Sequence, residues 1–160
     1  MQIDHEARVA TLLAAYLTAD YSWALDNAWY ALRIGHAARE LECAFPDAAG
    51  FGMLSAWNPQ SVPRSDVVNR AQDRQLQMAL ESAGLRTRPA FAAAPNRSWR
   101  EPSWLVVDLP VAQLDALARR FGQLGALFWH RGQPARLRMY AAESVRSADH
   151  AALDCVDWVT

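Results

Sequence analysis

"SWLVVDL", residues 103–109, decides the fold. Its apolar residues fall on odd and even positions alike, which a strand tolerates only when both of its faces are covered. A central strand over 103–109 therefore needs layers above and below it. Pro110 directly after suits the first turn of a helix, whose stripe is Val111, Leu114, Leu117, Ala118 and Phe121 and whose end is Gly122. Further on, "LGALFWH" (124–130) and "ARLRMYA" (135–141) read as strands joined through "RGQP" as a hairpin. The mixed tail from Ala142 on is given no element.

Upstream of the central strand, "LRTRPAFAAA" (85–94) reads as another strand, which Pro89 confines to an edge or a bulge. Before it, Ser65 caps a helix that runs to Gly84. Val68, Leu76, Ala79, Leu80 and Ala83 form that helix's apolar stripe, and Asn69 and Gln72 lie on the same side. Two amides on a core-facing stripe need partners, because an unsatisfied buried amide costs about 1–3 kcal/mol. "FGMLSAWNPQS" (51–61) starts as a strand and stops on Asn58-Pro59. "NAWYALRIG" (27–35) reads as a strand after a turn near Asp20, and "HAARELECAF" (36–45) as a short helix. A first helix, capped by Asp4, runs to about Thr18 with Ile3, Ala7, Ala10, Ala14 and Leu17 along one side.

Helices mixed with strands, and short links between neighbouring strands, give one α+β domain over residues 1–160. The expected sheet is mixed or antiparallel, with about five strands and with helices mostly on one face. The 160 residues, 52% of them hydrophobic and 21% charged, have a globular composition. The apolar run near the N-terminus is short and closed by Asp20, so neither a membrane span nor a signal segment is expected, and the location expected is cytoplasmic.

All 16 basic residues are arginine. That removes lysine Schiff-base chemistry, covalent pyridoxal phosphate and a Walker-type lysine, and with the abundant alanine it points to a GC-rich bacterial genome. Cys43 and Cys155 lack the spacing of zinc sites or redox pairs and read as buried thiols. His5, His36, His130 and His150 have no ligand spacing, so no metal and no cofactor is expected. Seven arginines against three acids between residues 64 and 100 could attract an anion, while the net charge of -1 argues against a dedicated nucleic-acid binder.

The residues that could carry chemistry stand near strand ends. Asn58 closes one strand, with Ser61 shortly after, and its loop leads into the helix bearing Asn69. Glu101 and Ser103, two apart, share one face of the central strand, so their oxygens can converge. Glu101 could act as a general acid or base, could hold a ligand amine or hydroxyl, or could pair with Arg97 or Arg100; the ion pair is the favoured of these. Gln123 follows a helix-ending glycine, where an amide caps carbonyls. Trp57, Trp99 and Trp104 surround these groups and could wall a pocket by stacking.

Together "SAWNPQS", Asn69, "WREPSWLVV" and "FGQLGALFW" resemble a small bacterial family, domain of unknown function 3293, over roughly residues 28–130. Trp57, Asn58 and Pro59 fall in its first motif, Asn69 in its helix, Trp99, Glu101 and Ser103 in its third motif, and Phe121, Gly122 and Gln123 in its last. Ser55 stands where the family pattern has threonine, which keeps a hydroxyl. The resemblance implies that these residues belong together and implies no activity.

Three functional readings follow. The first is a cleft of Asn58, Ser61, Asn69, Trp99, Ser103 and Gln123 around Glu101, binding a small polar or anionic, nucleotide-like ligand. The second is a hydrolase or transferase with Glu101 as general acid or base. The third is a polar network that fixes strand register in a protein-interaction domain, where Asn69→Ala costs about 1–3 kcal/mol and nothing else. Partners beyond the ligand, and oligomeric state, are not written in these residues.

Overall fold

A computed structural model describes residues 2–141 and 153–160. The sequence tail from Ala142 lies outside the described residues up to position 152. Helix α1 (Gln2–Thr18) starts two residues before Asp4, which therefore sits in its first turn. Val9 and Leu13 are the buried positions, with Tyr16 and Leu17 packed on the same core. Of the expected stripe Leu17 holds, while Ala7 and Ala14 are exposed and the side chain of Ile3 lies outside the described residues. Larger side chains at helical spacing bury more area and set the facing.

A hairpin follows: β1 (Asp20–Leu25) pairs antiparallel with β2 (Ala28–Leu32), with Leu25 opposite Ala28. Asp26 and Asn27 both have positive φ, 49° and 64°, the two-residue turn whose twist matches that of paired strands. The expected single strand over 27–35 is thus the second arm of a hairpin. Asn27→Gly should stabilise the protein by about 0.5 kcal/mol in urea unfolding, since glycine pays no Cβ penalty at that φ.

The remaining elements are α2 (Arg39–Ala44), β3 (Gly50–Leu54), α3 (Asp66–Ser82), β4 (Arg86–Ala93), β5 (Arg100–Val107), α4 (Val111–Arg120), β6 (Gly125–His130), β7 (Leu137–Met139) and β8 (Val156–Trp158). The sheet runs β2-β1-β4-β5-β3-β6-β7-β8. Among the described residues every strand pairing is antiparallel except the parallel β7–β8 pair, which makes a mixed sheet of eight strands. The additions to the expected sheet are β1, hidden inside a presumed turn, and the three-residue β8 in the tail. β4 is an interior strand rather than an edge. Its ladder with β1 stops at Trp23↔Ala90, one residue short of Pro89, so the missing N–H of proline falls where no β1 partner stands.

Past β2 the chain meets the approach to β7: Ile34 bridges Ala135, Gly35 N donates to Ala135 O (2.8 Å), and Ala135 N donates to His36 O (3.0 Å). The sheet is curled around a first core of Tyr21, Trp23, Leu32, Phe51, Leu105, Leu127, Trp129 and Leu137, to which α1 brings Leu13 and α2 brings Leu41. The other face carries a second core, where Leu76 and Leu80 of α3 and Leu114 of α4 meet Leu54, Val106 and Ala126. Helices therefore cover both faces, not mostly one. The alternation of Leu105 and Val107 with Val106 between the two cores is what the apolar run 103–109 requires. Among the described residues no helix is long and apolar enough to cross a membrane.

Candidate functional site

The site is built where β3 leaves the sheet. Ser55 Oγ donates to Pro102 O (2.8 Å) and accepts from Trp57 N (2.9 Å), turning the chain away from β5. Asn58 then adopts a left-handed conformation (φ 45°), as do Gln60 (φ 59°) and Ser61 (φ 56°). Such φ values cost roughly 1–2 kcal/mol apiece for side chains other than glycine and asparagine, so the loop has to be held from outside.

Two clasps hold it. Asn69, only 1% exposed, donates Nδ2–H to Asn58 Oδ1 (2.9 Å), while Asn58 N donates to Asn69 Oδ1 (2.9 Å). The Asn69 amide also reaches Arg64 O (3.3 Å), and Arg64 N donates to Asn58 Oδ1 (3.0 Å). The partner required by a buried amide on α3 is thus the loop itself. On the other side, Gln60 N donates to Gly122 O (2.7 Å), and Gln123 Nε2 donates to Trp57 O (3.0 Å) and Phe121 O (3.2 Å). Gly122 has φ +64°, and a Cβ there would lie 2.9 Å from Pro59 Cβ. Arg8 of α1 closes the ring by donating to Gln60 O (2.8 Å).

Held in this way, Asn58 turns its Nδ2–H to Glu101 Oε1 (2.9 Å). Glu101 makes no ion pair among the described residues, so the expected partnership with Arg97 or Arg100 is replaced by this neutral one. Glu101 Oε2 has no hydrogen-bond partner among the described residues. Burial pushes the Glu101 carboxyl above its usual range, and the Asn58 amide partly offsets the rise. Glu101 borders a hollow of about 280 Å³ lined by Leu12, Ala15, Tyr16, Tyr21, Asn58, Ser61, Pro63, Ala92 and Trp99. Behind it a second hollow of about 30 Å³, room for one water, touches Ser103, Gln123 and Ser55.

Tyr16 is the residue that the sequence reading missed. Its ring lies against Gly125 so closely that a Cβ there would come within 2.9 Å of Tyr16 Cζ. Burial and then the nearby Glu101 carboxylate push the Tyr16 phenol up, while the Ser61 hydroxyl and the Gly125 backbone pull the other way. The Tyr21 phenol is raised by burial and by its neighbours Tyr16 and Glu101. Both rings are neutral walls at ordinary pH. The readable signal for Tyr16 was its place three residues after Leu13, on the side of α1 that faces the sheet.

The expected residues thus fall into two groups. Asn58, Ser61, Trp99 and Glu101 line the larger hollow, whereas Asn69, Ser103 and Gln123 are buried behind it. Of the other tryptophans, Trp104 donates Nε1–H to Asp73 of α3 (2.9 Å) on the far face, and Trp57 lines neither hollow. Gln72 is half-buried and belongs to neither clasp. None of the seven arginines between 64 and 100 lines the hollow at Glu101, so its walls are mostly apolar and aromatic, with Asn58, Ser61 and one carboxylate among them. Such a place suits a flat ligand with a donor edge better than an anion.

Residues 54–125 match the family model described as Protein of unknown function (DUF3293). The matched segment runs from the last residue of β3 to the first of β6 and contains the left-handed loop, both of its clasps, Trp99 and Glu101. No curated protein and no solved structure matches the chain. Through this segment, rather less than half of its length, the chain is similar to the DUF3293 family.

Proposed function

We propose that the protein binds a small, flat molecule in the hollow at Glu101, with a hydrogen-bond donor of the ligand on Glu101 and its plane between Trp99 and Tyr16. The observation that carries this reading is the half-buried carboxylate: Oε1 is fixed by Asn58 and Oε2 has no partner among the described residues, at the side of an aromatic hollow large enough for a ring system. A carboxylate placed so gains most from a ligand presenting N–H groups, such as an amidine or an amino-heterocycle of nucleobase type. An anionic group finds no counter-charge in this hollow, which narrows the ligand class to neutral or cationic heads. The two thiols are not the buried pair expected, since Cys43 is exposed and Cys155 half-buried, and free thiols so placed suit a reducing, cytosolic setting for this activity.

The test uses 2-aminobenzimidazole and guanine as probes in titration calorimetry. Saturable binding that weakens at least tenfold in Glu101→Gln and in Trp99→Ala is expected; no binding of either probe, or binding indifferent to both variants, would overturn the reading. The raised carboxyl sets the pH dependence. A folded-state value above the unfolded one means that the native protein holds the extra proton between the two, so stability falls as pH rises through that window. Glu101→Gln is therefore expected to remove this fall and to be neutral or slightly stabilising at pH 7, even as the probe is lost. Probe affinity for the native protein should increase as pH rises through the Glu101 transition, because the ionised form is the acceptor.

A second reading rests on the same raised proton affinity, which moves Glu101 toward the range where a carboxyl can both give and take a proton. A general acid or base acting on a bound ligand would then lose turnover in Glu101→Gln while probe binding survived. Loss of probe binding in that variant separates the two readings in favour of simple binding.

A further inference from the structure

The opposite face of the sheet carries a second feature that the Glu101 hollow does not explain. The helices α3 and α4 cover the side of β5, β3 and β6, and their core contains no residue of β1 or β2. Across β2, β1 and β4 that face bears instead an open groove of about 630 Å³. Strand alternation places Trp29, Ala31 and Arg33 of the β2 segment beside Ser22 of β1 and Phe91 and Ala93 of β4.

Trp29 is 51% exposed, whereas Tyr21 and Trp23 of the same hairpin are buried. It meets Phe91 edge-on, ring centroids 4.9 Å apart. The Arg100 guanidinium carbon stands over the Phe91 ring, 4.0 Å from its centroid, and 5.9 Å from that of Trp29. Arg33 and Arg97 line the same groove, against one acid, Asp20. Among the described residues none of these three arginines makes an ion pair or donates a side-chain hydrogen bond. A guanidinium stacked on a ring keeps its N–H edge pointed outward, preorganised for two parallel bonds to a phosphate. The half-open indole beside it offers a face on which a base can stack.

We propose that this groove is a binding site for a nucleoside phosphate, with the base stacked on Trp29 and the phosphates held by Arg100, Arg97 and Arg33. Charge complementarity selects the occupant: three unpaired guanidinium groups facing one carboxylate call for an anion, and the exposed indole calls for a flat one. The size of the groove suits a single nucleotide, within the range of small-molecule sites. Trp29, Phe91 and Arg100 lie on the other side of the sheet from Glu101, while Trp99 lines both hollows at their shared end, so the nucleotide contacts proposed here use none of the groups that hold the ligand at Glu101.

The experiment titrates the whole chain with adenosine diphosphate, adenosine, and a five-nucleotide single-stranded DNA in low-salt buffer. The proposal expects saturable binding of the diphosphate, at least tenfold weaker for adenosine. It expects at least a tenfold loss in Arg100→Ala and in Trp29→Ala, both exposed enough to fold normally, and no change in Glu101→Gln. No binding of the diphosphate at millimolar concentration overturns it, as does binding unaffected by both groove variants. Binding lost in Glu101→Gln and retained in Arg100→Ala would move the nucleotide to the other hollow and likewise overturn it. Tighter binding of the single strand than of the diphosphate would overturn the commitment to a single nucleotide.

Discussion

Replacing Asn69 with alanine is expected to lower the unfolding free energy by about 3 kcal/mol, the cost of leaving several buried polar groups without partners. Asn58 N and Asn58 Oδ1 lose their bonds to the Asn69 amide, and Arg64 O loses its weaker one. Urea unfolding should show the change as a lower midpoint at constant slope, and thermal unfolding as a drop of about 6–12 °C for a chain of this size. The consequence does not end at stability. Asn58 keeps its left-handed backbone through this exchange and presents its amide to Glu101, so probe binding at the hollow should weaken together with the fold. If Asn69→Ala destabilised the chain while probe affinity stayed the same, the two clasps would be separate from the hollow they surround.

Gly122→Ala carries an effect of similar size by a different route. The residue sits at φ +64°, which costs alanine about 1 kcal/mol, and the new methyl would stand 2.9 Å from Pro59 Cβ. Relief requires the loop to move outward, which stretches the Gln60 N to Gly122 O bond (2.7 Å). Crowding of this kind costs about 1–3 kcal/mol on top, giving a total near 3 kcal/mol. A contrasting variant, Gly84→Ala, also meets positive φ (+70°) but open space around its Cβ, so it should lose only the backbone part. Equal destabilisation by the two would show that the contact with Pro59 contributes nothing.

The four helices and the central strand were legible because each rests on a local pattern. Ser65 caps α3 through Val68 N (3.3 Å), and Leu76, Leu80, Leu114 and Ala118 are buried at helical spacing as their stripes require. Val68, placed on the apolar stripe of α3 by the same rule, is 48% exposed, since the first turn of α3 stands beyond the sheet and only Asn69 turns inward there. The hairpin was illegible for the opposite reason. Asp26-Asn27 is a weaker turn signal than Asn-Gly, and "TADYSW" before it looks like a helix end running into a loop. Strand order, curl and the covering of both faces are decided by pairings between distant segments, which no window of sequence contains.

For the site, residue types and placement near strand ends drew together Asn58, Asn69, Glu101, Ser103 and Gln123, and these are connected in space. Their division into a lining and a support was not readable, because it depends on which side of Asn58 the α1 helix lies. The same holds for Tyr16, contributed by an element that the motifs do not touch. Glu101 lost its expected arginine because Arg100, the neighbouring residue on β5, points by strand alternation to the other face, where it stacks on Phe91.

The bridge between Ile34 and Ala135 ties positions roughly a hundred residues apart along the chain. Contacts of such separation form late, because much loop entropy is lost before they return anything. A nascent chain that has emerged only through β5 holds the hairpin, α3 and the left-handed loop at Asn58, yet still lacks Gly122 and Gln123 to secure that loop. Maturation of the hollow must therefore wait for synthesis to pass α4, and a ribosome stalled before that point would display Glu101 without its surroundings.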